Sequence, residues 1–211
     1  MPAKIKLFIV DAAPLINLAA ANSLDYLFYA DMPVIIPDAV FYEATRISTK
    51  IGAQEIIEWQ RANSGKIIIE ATSILQNELV LAALPDYKPA SDLGERATNE
   101  ILRDKNVLAE NERAIFLTDD SRAWRVIEEE KTVFLTTLNY LQQLEKAQRI
   151  QSADYIFKEI KKTGQNPPSH DMFSGHDPEI KDAVMDILKI KKESTGKEAS
   201  ERRKERENEA E

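Results

Sequence analysis

Residues 7–19 read LFIVDAAPLINLA, an almost wholly apolar stretch broken by the single carboxylate of Asp11. KIKLFIV, at 4–10, has the length and composition of a buried strand, and the stretch through LINLAA reads as a short helix. Asp11 therefore stands where a strand gives way to a helix. An ionised Asp in apolar surroundings is costly unless it is paired, hydrogen-bonded or bound to a metal. The position calls for a partner, or for a strand end that opens to solvent.

The same alternation recurs outward from this stretch. VIIP at 34–37 reads as a second strand, with Asp38 placed to cap the helix AVFYEATRIS. QEIIEWQRA is helical and KIIIEA at 66–71 is a short strand. DYKPASDLG is a loop, and ERATNEILRDKNVLAEN a polar-faced helix with Ser91 or Asp92 near its start. AIFLT, SRAWRVIEEE, TVFLT and LNYLQQLEKAQRI continue as strand, helix, strand and helix. Repeated β and α segments of this length predict a parallel α/β sheet flanked by helices. Beyond Ile150 the pattern becomes helical: SADYIFKEIKK, capped by Ser152 and ended by Gly164, then the loop QNPPSHDMFSGHD and the helix PEIKDAVMDILKI. Residues 191–211 are nearly devoid of apolar side chains and carry seven basic and seven acidic residues, the composition of a charged, disordered tail.

Composition limits the chemistry. A chain of 211 residues with 43% hydrophobic content supports one sizeable core. It holds no long uncharged apolar run and no signal-peptide pattern at its start, which sets a cytoplasmic protein without membrane spans as the expectation. With no cysteine and two histidines, thiolate chemistry is excluded and a metal would rest mainly on oxygen ligands. The net charge of −8 argues against bulk attraction to nucleic acid, though not against a local site.

In parallel α/β sheets, functional groups gather at the carboxyl ends of strands. That rule selects Asp11 after the first strand, Glu43 in the helix after the second, Glu95 in the helix after the DLG loop, and Asp119 with Asp120 after AIFLT. Asp92 is the alternative to Glu95. Carboxylates crowded together stay ionised only with a cation among them. Mg²⁺ and Mn²⁺ favour hard oxygen ligands and can activate water for attack on a phosphodiester. The predicted chemistry is that of a metal-dependent nuclease.

IVDAAPLINLA, PDAVFYEA, DLGERATNEI, FLTDDSRAWRVI and TVFLTTLNYL resemble the successive motifs of PIN domains, and in particular the VapC-like toxin and ribonuclease group. The resemblance covers about residues 5–150, and more weakly runs to Gly164. It implies a nuclease domain over 1–164, followed by a loop and C-terminal helix over 165–190 and the tail over 191–211. It also implies Mg²⁺- or Mn²⁺-dependent endoribonuclease activity on RNA, a small antitoxin partner and a homodimer. Carried over by position, Asp11, Glu43, Glu95, Asp119 and Asp120 match the catalytic acids, with Asp11, Glu95, Asp119 and Asp120 the metal ligands. Thr118 opens a T-x-D pattern that points to Asp120, while a paired-acid variant points to Asp119. Thr137 falls at a supporting position after the last strand. Ala12 and Ala13 stand where relatives often have Ser or Thr.

Blander readings compete at single positions. A strand-end Asp often caps a helix. Arg122 and Arg125, near one another in SRAWRVI, suit surface ion pairs as well as RNA phosphate, and Trp59 and Trp124 suit the core or a dimer interface. His170 and His176 sit with Asp171 and Asp177 in one loop, too few and too close for an HD-type phosphohydrolase. The competing functional class is a PIN-like module that binds RNA or protein without cleaving.

Overall fold

The computed structural model describes residues 2–88, 90–104, 108–127, 130–169 and 177–189. Five strands, β1 (Lys4–Val10), β2 (Val34–Pro37), β3 (Ile67–Glu70), β4 (Glu112–Leu117) and β5 (Thr132–Leu135), form one sheet in the order β3-β2-β1-β4-β5. Every neighbouring pair is parallel. The chain builds outward from β1 through β2 to β3, then crosses to the other side of β1 for β4 and β5. The β1/β4 seam is thus the switch point of the topology, where the connecting loops part and leave a crevice at the carboxyl edge.

The central strand is sealed on both faces, as a parallel sheet requires. Phe8 and Val10 of β1 face the larger core with Leu15, Leu18, Val40, Ile56, Tyr140 and Leu144. Ile9, on the opposite face, joins Phe116, Phe134, Ile101, Ala123 and Ile127 in a second cluster. The helices on the first side are α1 (Ala12–Ala20), α2 (Asp38–Thr45), α3 (Ala53–Ala62), α7 (Thr137–Lys146), α8 (Ala153–Lys162) and α9 (Pro178–Leu188). α5 (Leu93–Asp104) and the single turn α6 (Ala123–Val126) cover the second. Close approach of α3 to α1 depends on Gly52, whose φ is +83° and where a Cβ would lie 3.0 Å from the Ala19 Cβ and 3.2 Å from the Ile16 carbonyl oxygen. α9 is capped by Asp177, carries Pro178 in its first turn, and sends Val184 and Leu188 into the main core, so this helix is part of the folded body.

The parallel α/β expectation is met, with differences at particular elements. Asp38 is the first residue of α2, with Pro37 at the cap; its carboxylate accepts from the Ala39 N–H and from the Thr72 N–H and hydroxyl, tying α2 to the start of the helix that follows β3. That helix, α4 (Ser73–Leu81), escapes a reading based on apolar period, because Glu78 is its buried residue while Leu79, Val80 and Leu81 are exposed. A 3-10 segment over Leu24–Ala30 was likewise not anticipated. The helix expected to reach Asn111 stops earlier: Leu108 is buried in the second cluster, and a turn from Ala109 to Glu112, braced by the Glu112 carboxylate on the Ala109 N–H, leads straight into β4. The described part of SRAWRVIEEE contributes one helical turn because Ile127 becomes extended to drop its side chain into the same cluster. α7 ends at Lys146, where Gln148 takes a left-handed φ of 58°. Residues 191–211, the predicted tail, and His170, Asp171 and His176 lie outside the described residues.

Candidate functional site

The β1–β4 register places Val10 beside Leu117, so the first residues past the two strands, Asp11 and Thr118, are also neighbours. Asp11 caps α1: its Oδ1 accepts from the Ala12 N–H at 2.8 Å. Its Oδ2 accepts from the Thr118 hydroxyl at 2.8 Å. That hydroxyl also accepts from the Asp120 N–H at 3.1 Å, which shapes the turn carrying the next acid. Asp11 thus has hydrogen-bond partners and also faces other carboxylates.

Those carboxylates arrive from α2, α5 and the β4 turn. Gly94 permits the convergence, since a Cβ there would lie 3.0 Å from Val40 Cγ2, 3.3 Å from Asp11 Oδ1 and 4.0 Å from Glu43 Oε2. The absent side chain leaves room in front of two acids at once. Asp11 is pushed up from an ordinary 3.8 to about 7, chiefly by burial; hydrogen bonds from Thr118 and Ala12 oppose the rise, and the charges of Glu95 and Glu43 add to it. Glu95, half buried, is raised by burial and by Asp120, Glu43 and Asp92. Asp120 moves the other way, lowered mainly by Arg122, whose Nε donates to its two oxygens at 3.0 and 2.9 Å. Asp11, Glu43, Glu95 and Asp120 therefore share one electrostatic neighbourhood, with Asp92 at its rim.

Asp119 stands apart. Its Oδ1 accepts from the Thr137 N–H at 2.8 Å, and its Oδ2 from the Thr137 hydroxyl at 2.7 Å and the Asn17 amide at 2.6 Å. Burial raises its pKa and those three donors oppose the rise. The carboxylate clasps α1 and α7 together under the edge. Adjacent acids point in opposite directions, as alternate side chains at a strand end do.

Asn17 and Gly94 were not singled out from the sequence, while Arg122, named with Arg125 as suited to a surface ion pair, makes one with Asp120. Asn17 was visible as a lone amide inside LINLAA, and it is 5% exposed. Gly94 was visible as the glycine of DLG immediately before Glu95. Nothing in the sequence distinguished Arg122 from Arg125.

As a receptacle the edge offers carboxylate oxygens, the donor type that Mg²⁺ and Mn²⁺ select, and Gly94 leaves space before Asp11 and Glu43. Among the described residues no three His, Cys, Asp or Glu side chains lie close enough to grip one ion as they stand. The donor chemistry fits a hard divalent cation, and the carboxylates would draw together around it.

A doubly covered parallel sheet with its acids gathered at the switch point defines a PIN-like α/β protein. A family model described as PIN domain matches residues 7–166, and the chain belongs to the PIN-domain family. PIN domains are commonly nucleases, generally bind nucleic acid and generally use divalent metals. No curated protein matches the chain. Among the described residues no helix is long and apolar enough to cross a membrane.

Proposed function

We propose that the protein is a Mg²⁺- or Mn²⁺-dependent endoribonuclease that hydrolyses RNA phosphodiesters, and that it acts in the cytoplasm as the toxin of a toxin–antitoxin pair. The observation that carries this reading is the convergence of Asp11, Glu43, Glu95 and Asp120 from four separate segments around the space in front of Gly94. Asp11, Glu95 and Asp120 are the ligands in this reading, and Glu43 completes the acidic wall. A bound divalent ion supplies activation of water and stabilisation of the leaving oxygen. Thr118 holds Asp11 and the Asp120 turn in register. Asp119 serves as a positioning residue, fixing Thr137 and Asn17 beneath the ligands. Arg122, 76% exposed at its side chain, neutralises Asp120 and lies where an RNA phosphate would enter.

In this reading the nuclease unit occupies residues 1–164, followed by a loop and C-terminal helix over 165–190 and a charged tail over 191–211. A small antitoxin presenting Arg or Lys suits the acidic crevice. The exposed apolar run of Leu79, Val80, Leu81 and Leu84, with Val80 70% exposed, supports a protein partner, either that antitoxin or a second copy in a homodimer.

Short RNAs incubated with the purified chain test the reading. Cleavage in Mn²⁺ or Mg²⁺, none in EDTA, and loss of cleavage in Asp120→Asn are expected. RNA binding with no cleavage in any metal would replace the nuclease by a binding module, a reading favoured by the absence of a ready three-carboxylate grip among the described residues.

A further inference from the structure

At the far end of α7 from the acidic edge, the 3-10 segment and the α7–α8 junction line an open cavity of about 690 Å³. α7 spans the distance between the two places, ~15 Å at 1.5 Å per residue. Tyr26, Tyr29 and Tyr155 supply aromatic surface, Gln148 and Gln151 supply amides, and Arg149 supplies a cation. Tyr26 and Tyr29 meet edge to face at 5.5 Å, and the Arg149 guanidinium lies 4.7 Å from the Tyr29 ring centroid. Among the described residues Arg149 makes no ion pair. The one carboxylate in the lining, Glu145, already accepts from the Ala153 N–H at 3.2 Å.

Tyr155 is 64% exposed beside this opening, although the neighbouring Ile156 and Phe157 are buried. An aromatic face left in water at the mouth of a cavity suits a flat partner. The position of Gln148 adds a second anomaly. α7 closes with the Gln148 N–H on the Glu145 carbonyl and the Arg149 N–H on the Leu144 carbonyl, both at 2.9 Å, which is the Schellman arrangement. Its left-handed position is one where glycine is the least strained residue, yet here it carries a long amide facing the cavity lining.

We propose that this cavity is a nucleobase-binding site: the base stacks on Tyr155, the Gln148 and Gln151 amides read its edge, and the attached phosphate meets Arg149. An amide offers one acceptor and two donors, the pattern that matches the polar edge of a base. Stacking of bases on aromatic side chains backed by a cation is the general means of holding an unpaired nucleotide. A free nucleotide and an unpaired base of an RNA strand present the same chemistry to this cavity. The assignment does not rest on the nuclease reading, because no acid of the carboxyl edge takes part.

The test is titration of the full chain in EDTA with AMP, GMP, CMP and UMP, and with single-stranded tetranucleotides, followed by calorimetry. Saturable binding of at least one nucleotide is expected. Tyr155→Ala and Gln151→Ala, both exposed positions, should each weaken it by about tenfold or more, while Tyr155→Phe, which keeps the ring, retains it. Asp120→Asn should leave nucleotide affinity unchanged. Tighter binding of tetranucleotides than of mononucleotides assigns the site to an RNA strand, and equal affinity assigns it to free nucleotides. Absence of saturable binding at millimolar concentration overturns the proposal. So does affinity that survives Tyr155→Ala, or affinity that is lost in Asp120→Asn.

Discussion

Asp11 and Asp119 leave the same edge of the sheet, from adjacent strands, and both are raised by burial. Their surroundings differ in kind. Asp119 has three donors from Asn17 and Thr137 distributed over its two oxygens. Asp11 has two donors and faces Glu95 and Glu43. A buried carboxylate matched by donors holds a structure together, whereas one left among like charges is a destabilising feature that a cation would relieve.

The contrast breaks most visibly in activity. Asp11→Asn should lower RNA cleavage in Mn²⁺ by about two orders of magnitude or more, the scale at which loss of one charge-stabilising group is felt. Unaltered cleavage would remove Asp11 from the site.

Stability of the metal-free protein gives the next largest effect. An acid whose folded-state pKa is raised favours the protonated fold. The penalty is absent below its ordinary 3.8, grows as pH rises and is complete above about 7. In EDTA, Asp11→Asn should therefore match the wild type near pH 4 and become the more stable protein by pH 7.5, by up to a few kcal/mol. Urea midpoints across that range measure it, and a destabilised variant at pH 7.5 would contradict the assignment.

Asp119→Asn should act with the opposite sign. An amide nitrogen cannot accept from Asn17 or Thr137, so buried donors lose their partner and stability should fall by about 1–3 kcal/mol at neutral pH. Equal urea midpoints for variant and wild type would dissolve the distinction between the two acids.

The smallest effect concerns Arg122. Arg122→Gln frees Asp120 of its neutralising partner, so Mn²⁺ should raise the melting temperature at lower concentration than in the wild type. The advantage should fade in high salt, which screens an exposed pair already. An unchanged Mn²⁺ dependence at low salt would show that Asp120 does not compete for the metal.

The sheet was readable because its strands are continuous apolar runs separated by helical periods, a signal that double burial imposes on parallel strands. α4 was hidden for the converse reason, since Leu79, Val80 and Leu81 are exposed and only Ile74 and Leu75 pack partly against the core, too little for a buried stripe. The acids of the carboxyl edge could be picked out one by one, because strand ends are legible. Their pairing was not. Whether Asp119 or Asp120 joins Asp11 depends on which way each side chain leaves the turn, and on Asn17 and Thr137, which lie 102 and 18 residues from Asp119 in sequence. Long-range hydrogen bonds leave no periodic trace in a chain.

The Asp11–Thr118 bond spans 107 residues. During synthesis at ~5–20 residues per second, Asp11 is added to the chain roughly 5–20 s before Thr118. Through that interval β1 has β2 on one side and nothing on the other, since its second neighbour is β4. An interrupted product ending ahead of β4 would lack both the seam and Asp120. Whatever chemistry the carboxyl edge performs is therefore withheld from every nascent chain until most of the domain has been translated, a delay written into the order of the strands.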